Sequence, residues 1–361
     1  MIGTLLAIGA LAIALVIGLG RQITVFTAWE RGLWLFRRYD QKRLIGLCVS
    51  GVLIGGAMIL EPQPVVGALA VATGVFAALA LLFRLEWLFP ALEKVRAVPA
   101  QAARLDNDAP VMVVGVPSPT DPLQTHSARA YPLDSMVIPR HIVHDLLDAT
   151  PVLVTYCALC RSGLAFRSMV GDQPARFRVV GVFRRNLIME DTVTWSLWQQ
   201  ATGAAIYGPL AGTTLSLLPA TQMRWSKARA TAGPALTVAT DPPGVPRPLF
   251  ASRRGLLLLK YVTERVMVPG HTEISSQLPP RETVFGIVVR GVARAYPESQ
   301  CKVAGEFADT VGEVTLRFAY DRARGTLAVS RADGEPPPVV ERHWWLGWNE
   351  FHPDSTVWRA P

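Results

Sequence analysis

Cysteine is scarce in this chain, with four in 361 residues, and aromatic residues make up only 8% of it. Four cysteines cannot staple a chain of this length as they staple small secreted domains, so its stability must come from apolar burial. Several signatures are missing altogether. No G-x-G-x-x-G follows a strand-like run and no Walker loop occurs, which removes the common nucleotide-cradling turns. H-E-x-x-H and C-x-x-C-H are also absent, which removes the usual zinc-protease helix and c-type haem attachment. The formal charge is +8, yet no basic run interleaved with aromatics follows the first third of the chain, so nucleic acid is not an expected partner.

Long charge-free runs are abundant instead. Half of the residues are hydrophobic, and three segments, about 2–20, 44–60 and 65–83, carry no charge between them. A hydrocarbon core of about 30 Å needs roughly 20 apolar residues in a helix, so each can span. The first lacks the basic start of a signal peptide, which favours an uncleaved span. The stretch 21–43 reads as a loop and holds Arg21, Arg31, Arg37, Arg38, Lys42 and Arg43 against Glu30 and Asp40. The positive-inside rule places that stretch in the cytoplasm. The expectation is a membrane region over 1–90 in a cell (inner) membrane, with the lipid bilayer as partner and the rest of the chain on the cytoplasmic side.

Past a proline- and charge-rich linker at 91–105, the pattern changes to short apolar runs broken by Gly, Pro and Asp, which indicates strands and turns. VMVVGV (111–116), VLVTY (152–156), LAFRSMV (164–170), FRVVGVF (177–183) and LRFAY (316–320) read as strands, and 136–149 reads as one helix opened by Pro139. The fold class is therefore α+β, a β-rich domain over 106–361 behind three transmembrane helices. That domain carries an internal repeat: Ala128-Arg129-Ala130-Tyr131-Pro132 recurs as Ala293-Arg294-Ala295-Tyr296-Pro297, and VLVTY answers LRFAY at nearly the same offset. Two copies, about 110–235 and 283–358, are expected to form one duplicated soluble domain.

Within the first copy, Cys157 and Cys160 stand two residues apart directly after a strand; the second copy has Asp321 and Arg324 in their place. The pair is thus dispensable to the strand-turn-strand unit, which favours chemistry over core filling. Two thiols at this spacing can form a disulfide, with Cys157 attacking, Cys160 resolving, and Arg161 and His141 tuning their charge. The alternative is a zinc or copper site built from His141, His144, Cys157 and Cys160, a ligand set that suits tetrahedral metal. A third reading leaves the pair inert in a structural subunit of a membrane complex. Asn186, Glu190, Asp191, Trp198, Gln199 and Gln200 are candidates to line a polar pocket, whereas His343 and His352, in an aromatic C-terminal stretch, have no partner pattern of their own.

The motifs A-R-A-Y-P (Ala128–Pro132), V-x-D (Val143–Asp145), V-T-Y-C-x-x-C (Val154–Cys160), S-L-W-x-Q-x-T-G (Ser196–Gly203), G-P-L-x-G (Gly208–Gly212) and F-H-P-D (Phe351–Asp354) together resemble the family known as domain of unknown function 3179. The resemblance spans roughly 106–358. Some members look like selenoproteins, which implies redox use of a chalcogen at or near the cysteine pair. The family's usual histidine before V-x-D is matched here by Arg140. The family is functionally uncharacterised; the resemblance favours the redox reading of the pair, a thiol-disulfide oxidoreductase with an unknown redox or membrane-protein partner, over the metal one, and it supplies no substrate.

Overall fold

A computed structural model of the chain describes residues 1–27, 30–82, 85–117, 125–232 and 235–360. These divide into two compact units. One holds residues 1–88 with the short segments 180–184 and 268–270, and the other holds the remainder.

The first unit is built on helices Ile2–Thr27, Glu30–Leu60 and Pro64–Leu82. Each contains a stretch long and apolar enough to cross a membrane: Ile2–Gly20, Lys42–Leu60 and Pro64–Leu82. A helix satisfies its own backbone hydrogen bonds, which is what an apolar solvent demands of a spanning segment. Lipid supplies little hydrophobic drive between helices, so close approach matters. A methyl group at Gly18 would fall 2.7 Å from the carbonyl oxygen of Phe76, and one at Gly46 would fall 2.4 Å from Ile17 Cδ1. Ala7, Ala57 and Val66 form a small buried cluster, and the Ser50 hydroxyl donates to the Ala10 carbonyl at 2.8 Å. The basic stretch read as a loop is largely helical, because the first helix runs on to Thr27 and the second begins at Glu30. Its Leu, Arg, Gln and Lys are good helix formers, and it holds no proline.

The second unit contains β-sheets and short helices, so mixed α+β is its class. Two sets of elements within it follow the same order. In the first, strands Pro110–Pro117 and Thr125–Pro132 pair antiparallel, with Val111 opposite Pro132. A short helix, Leu133–Val137, follows, and then an antiparallel meander of Ile142–Leu147, Thr150–Cys157 and Ser162–Arg167. In the second, Thr283–Val289 pairs with Val292–Pro297, with Val284 opposite Pro297. Helix Glu298–Ala304 follows, and then the meander Glu306–Val311, Val314–Asp321 and Thr326–Arg331.

Each set also closes alike. Ala220–Arg224 adds antiparallel to the first strand of its set and runs into helix Trp225–Ala232; Glu341–Trp344 does the same and runs into helix Trp345–Phe351. A last short strand then pairs in parallel, Thr237–Thr240 with Thr125–Pro132 and Thr356–Val357 with Val292–Pro297. Trp225 and Trp345, at equivalent corners, are fully buried.

The A-R-A-Y-P repeat has a structural cause. Arg129 and Tyr131 are two residues apart on a strand and share a face; the Arg129 guanidinium pairs with Asp145, and the Tyr131 hydroxyl donates to the same carboxylate at 2.5 Å. Arg294 and Tyr296 hold Asp309 in the same way. Each arginine also donates at 3.0 Å to a threonine of the closing strand, Thr237 or Thr356.

Two sequence expectations need correction. Residues 136–149 do not form one helix. The helix ends at Val137, the Ile138–Pro139 peptide is cis, and Ile142–Leu147 is a strand. Proline cannot continue the preceding turn, and β-branched Ile142 and Val143 suit a pleated, half-buried surface. Residues 96–99, inside the stretch read as linker, pair antiparallel with Thr237–Thr240 and extend the first sheet.

Candidate functional site

The strand Thr150–Cys157 and the strand Ser162–Arg167 are joined by a tight turn, with Cys157 opposite Ser162. The turn therefore projects both sulfurs at one end of the meander. Arg161 takes a φ of 52° to close it. Both cysteines are free thiols and both are buried, Cys157 at 3% exposure and Cys160 at 0%. A buried polar sulfur needs partners, and Cys160 has several.

The first partners come from residues 168–219, which lie between the meander and the closing strand of the first set. Strands Asn186–Asp191 and Leu197–Gln199 pair there and carry Asn186 into the core. Asn186 Nδ2 donates to Cys160 Sγ at 3.2 Å and to Gln200 Oε1 at 2.8 Å. Its Oδ1 accepts from Gln199 Nε2 and from the Ala201 amide, both at 2.9 Å. Those two donors fix which end of the amide faces the sulfur. Ser162 Oγ lies 3.1 Å from Cys160 Sγ and 2.9 Å from Gln200 Oε1, so its one proton can serve either. Gln200 Nε2 in turn donates to Thr155 Oγ1 at 3.0 Å.

The second set of elements supplies the charge. Strand Glu341–Trp344 runs past the turn, and the Trp344 amide donates to the Cys160 carbonyl at 2.8 Å. Glu341 and His343, two apart on that strand, share a face, and His343 Nε2 lies 2.9 Å from Glu341 Oε2. The imidazole, 2% exposed, bears on Cys160. Burial alone would lower the pKa of His343, but the Glu341 carboxylate at 2.9 Å and the nearby Cys160 sulfur raise it to about 9, with Nδ1 left without a hydrogen-bond partner among the described residues. Burial opposes ionisation of Cys160 as well. The neighbouring Cys157 and His343, the positive charge of the imidazole and the Ser162 hydroxyl at 3.1 Å overcome it and hold this thiol well below its usual value. Cys157 is raised, first by burial and then by donating to the Cys160 sulfur. These directions favour the proton on Cys157 and the negative charge on Cys160, on the side of the His343–Glu341 pair.

Helix Trp345–Phe351 seals the turn. A methyl group at Gly347 would fall 2.4 Å from Cys160 Cβ, so a residue without a side chain is required there. On another side, Tyr156, Ala158, Arg161, His343 and Trp344 face a cavity of about 670 Å³.

The other expected site residues separate. His141 and His144 are three apart across the start of a strand, a spacing that turns them to opposite faces. His141 Nδ1 lies 3.1 Å from the Tyr156 carbonyl, and its ring packs on Phe89 at 4.6 Å. His144 Nε2 lies 3.0 Å from both the amide and the carbonyl of Phe177. Burial lowers both histidines to about 4, so both are neutral. The set His141, His144, Cys157 and Cys160 is not brought together, and among the described residues no three His, Cys, Asp or Glu side chains converge as a metal site. Asp191 accepts from the Val193, Thr194 and Ser196 amides and from Trp198 Nε1, so Asp191 and Trp198 fasten their own loop. Arg161 pairs with Glu264 at 2.5 Å and lies over the Trp344 ring at 4.9 Å.

Both cysteines, Asn186 and Gln200 are legible as candidates in the sequence, whereas Ser162, Glu341 and His343 are not. One signal was available for the last two: E-x-H in a segment ending at paired tryptophans places acid and imidazole on one face of a strand. Nothing in the spacing says that this face meets a turn some 180 residues earlier.

A family model described as a protein of unknown function, DUF3179, matches residues 88–339. The match includes the cysteine turn and Asn186 and stops short of Glu341, His343 and the F-H-P-D motif. No curated protein and no solved structure matches the chain.

Proposed function

The chain belongs to the DUF3179 family, whose description assigns no activity, and we propose from its own residues that it is a membrane-anchored thiol-disulfide exchange protein working through Cys157 and Cys160. The observation that carries this reading is two free thiols on one turn in unequal surroundings: Asn186 Nδ2 donates to Cys160 Sγ and the His343–Glu341 pair lies on the same side, which favours the charged form of Cys160, while burial raises Cys157.

The inequality assigns roles by exchange chemistry. A thiolate of low pKa is a good leaving group, and an incoming thiolate attacks the sulfur it can reach. With the pair oxidised, a partner thiolate RS⁻ attacks Cys157 Sγ, the slightly exposed member. The Cys157–Cys160 bond breaks, the mixed disulfide Cys157–S–S–R forms, and the electron pair leaves on Cys160. A second partner thiolate then attacks the partner's sulfur, releasing RSSR and the Cys157 thiolate, which takes a proton from solvent. Two electrons pass from two partner thiols to the protein disulfide. Run backwards, the Cys160 thiolate attacks Cys157 in the mixed disulfide and expels the partner thiol. Cys157 remains the sulfur that meets the partner, and the charge sits on Cys160 rather than on Cys157.

Titration of the full chain in detergent against a dithiothreitol redox buffer, followed by mass spectrometry of the peptide holding both cysteines, tests the proposal. The expected result is reversible loss of two thiols to one Cys157–Cys160 disulfide, abolished by Cys160→Ser. Thiols that remain free at every potential at which the fold survives would overturn it.

A further inference from the structure

The 670 Å³ cavity beside the cysteine turn has a charge that thiol chemistry does not require. Eight lysine and arginine side chains line it with three carboxylates, Asp108, Asp134 and Glu298; two of the eight, Arg161 and Arg324, are paired with Glu264 and Asp321 beside it, which still leaves more cations than carboxylates. Both sets of elements contribute. The turn Arg322 to Gly325, equivalent to the cysteine turn, faces the cavity, as do residues 342–344 and the equivalent residues 222–224. The cavity therefore lies where the two sets meet, each presenting one turn and one closing strand.

The carboxylates do not neutralise this lining. Asp134 is taken by Lys260 at 2.6 Å, and Asp108 lies 3.4 Å from Arg224. Glu298 is shared between Arg342 at 3.1 Å and Lys302 at 3.6 Å, so one carboxylate faces two cations. Arg322 spends a donor on the Lys302 carbonyl at 2.6 Å and has no ion pair among the described residues. Lys227 makes no ion pair among them either, although its charge helps to hold Asp321 low. Cations crowded into a concave, partly desolvated space repel one another and focus a positive field into it, and a mobile anion is what relieves both effects. Guanidinium forks match carboxylate and phosphate oxygens, and the cavity volume lies within the range that holds small molecules.

We infer that this cavity binds a small molecule bearing two or more carboxylate or phosphate groups, seated between Lys227 and Arg322. The binding rests on the cavity and its charge and not on the reactivity of the thiols, so it stands or falls separately from the exchange chemistry.

Calorimetric titration of the full chain in detergent with citrate and with pyrophosphate, and with spermidine as a cationic control, tests the inference. Saturable binding of citrate or pyrophosphate, weakened by added salt, is expected, with the preferred probe showing whether carboxylate or phosphate is the better fit. Lys227→Glu with Arg322→Glu should weaken it by more than about tenfold, and Lys227→Gln with Arg322→Gln by less, each with an unchanged melting temperature. The Cys157→Ser, Cys160→Ser double variant should bind as the wild type does. No binding of either anion, or binding untouched by both pairs of cavity substitutions, would overturn the inference; the second result would place the anion elsewhere, for instance on the basic stretch 21–43.

Discussion

Two turns of the same build carry opposite chemistry. The turn after Cys157 holds two sulfurs in the core, whereas the turn after Asp321 holds an ion pair, Asp321 with Arg324 at 2.8 Å, with both side chains at least a third exposed. Asp321 also accepts from the Ala323 and Arg324 amides, so the second turn closes on itself. The backbones agree, with Cys157 opposite Ser162 and Asp321 opposite Thr326. What differs is what is packed against them. The first turn meets His343 of the opposite set and Asn186 of residues 168–219; the position equivalent to His343 is Met223, and only residues 332–340 stand where those 52 or so residues stand in the first set. A shared backbone sets where a turn points, and its surroundings decide what the turn can do.

Five variants probe that difference, in order of decreasing expected cost. Cys160→Arg, which copies the second turn into the first, buries a guanidinium beside the His343 imidazolium and should cost more than about 4 kcal/mol, read as loss of a cooperative thermal transition. Asp145→Ala strands Arg129, whose side chain is 15% exposed, and should cost about 3 kcal/mol by denaturant unfolding. Asp309→Ala does the same to the more exposed Arg294 and should cost less than Asp145→Ala in the same assay; equal costs would contradict the account of burial. Gly347→Ala should cost about 1–3 kcal/mol, because its methyl group meets the Cβ of Cys160 and not a flexible chain end. The mildest change is Asp321→Cys with Arg324→Cys, which removes one exposed ion pair worth at most about 1 kcal/mol. Without an imidazolium opposite, that new pair should alkylate with the pH dependence of ordinary thiols, and early thiolate reactivity there would mean that the backbone turn alone activates cysteine.

Much of this architecture is legible in the chain itself. The three apolar runs announce the helices of the first unit, alternation and β-branching announce most of the strands, and A-R-A-Y-P marks the two arginine-tyrosine-aspartate clusters. Misreadings fall where one residue decides. Pro139 looks acceptable in a first helical turn, but it lies in the turn that leads into the strand Ile142–Leu147, and that strand puts His141 and His144 on opposite faces and dissolves the metal set. Cys157, Cys160 and Asn186 could be picked out because cysteine is rare and amides near turns are conspicuous. His343 could not be, since its role depends on the strand Glu341–Trp344 crossing to the turn of the other set, a contact made through backbone register and not through any local pattern.

Whether His343 lowers the pKa of Cys160 can be read from the pH dependence of Cys160 alkylation. The measurement uses the Cys157→Ser background, with and without His343→Gln, following iodoacetamide modification of the peptide that contains Cys160. With His343 raised to about 9, the imidazolium persists through neutral pH and is lost as pH climbs past that value. Cys160 should react as a thiolate well below the ordinary thiol range of about 8.5, and His343→Gln should move the midpoint up into or above that range. A midpoint that is ordinary to begin with, or one that His343→Gln leaves in place, would contradict that role for His343.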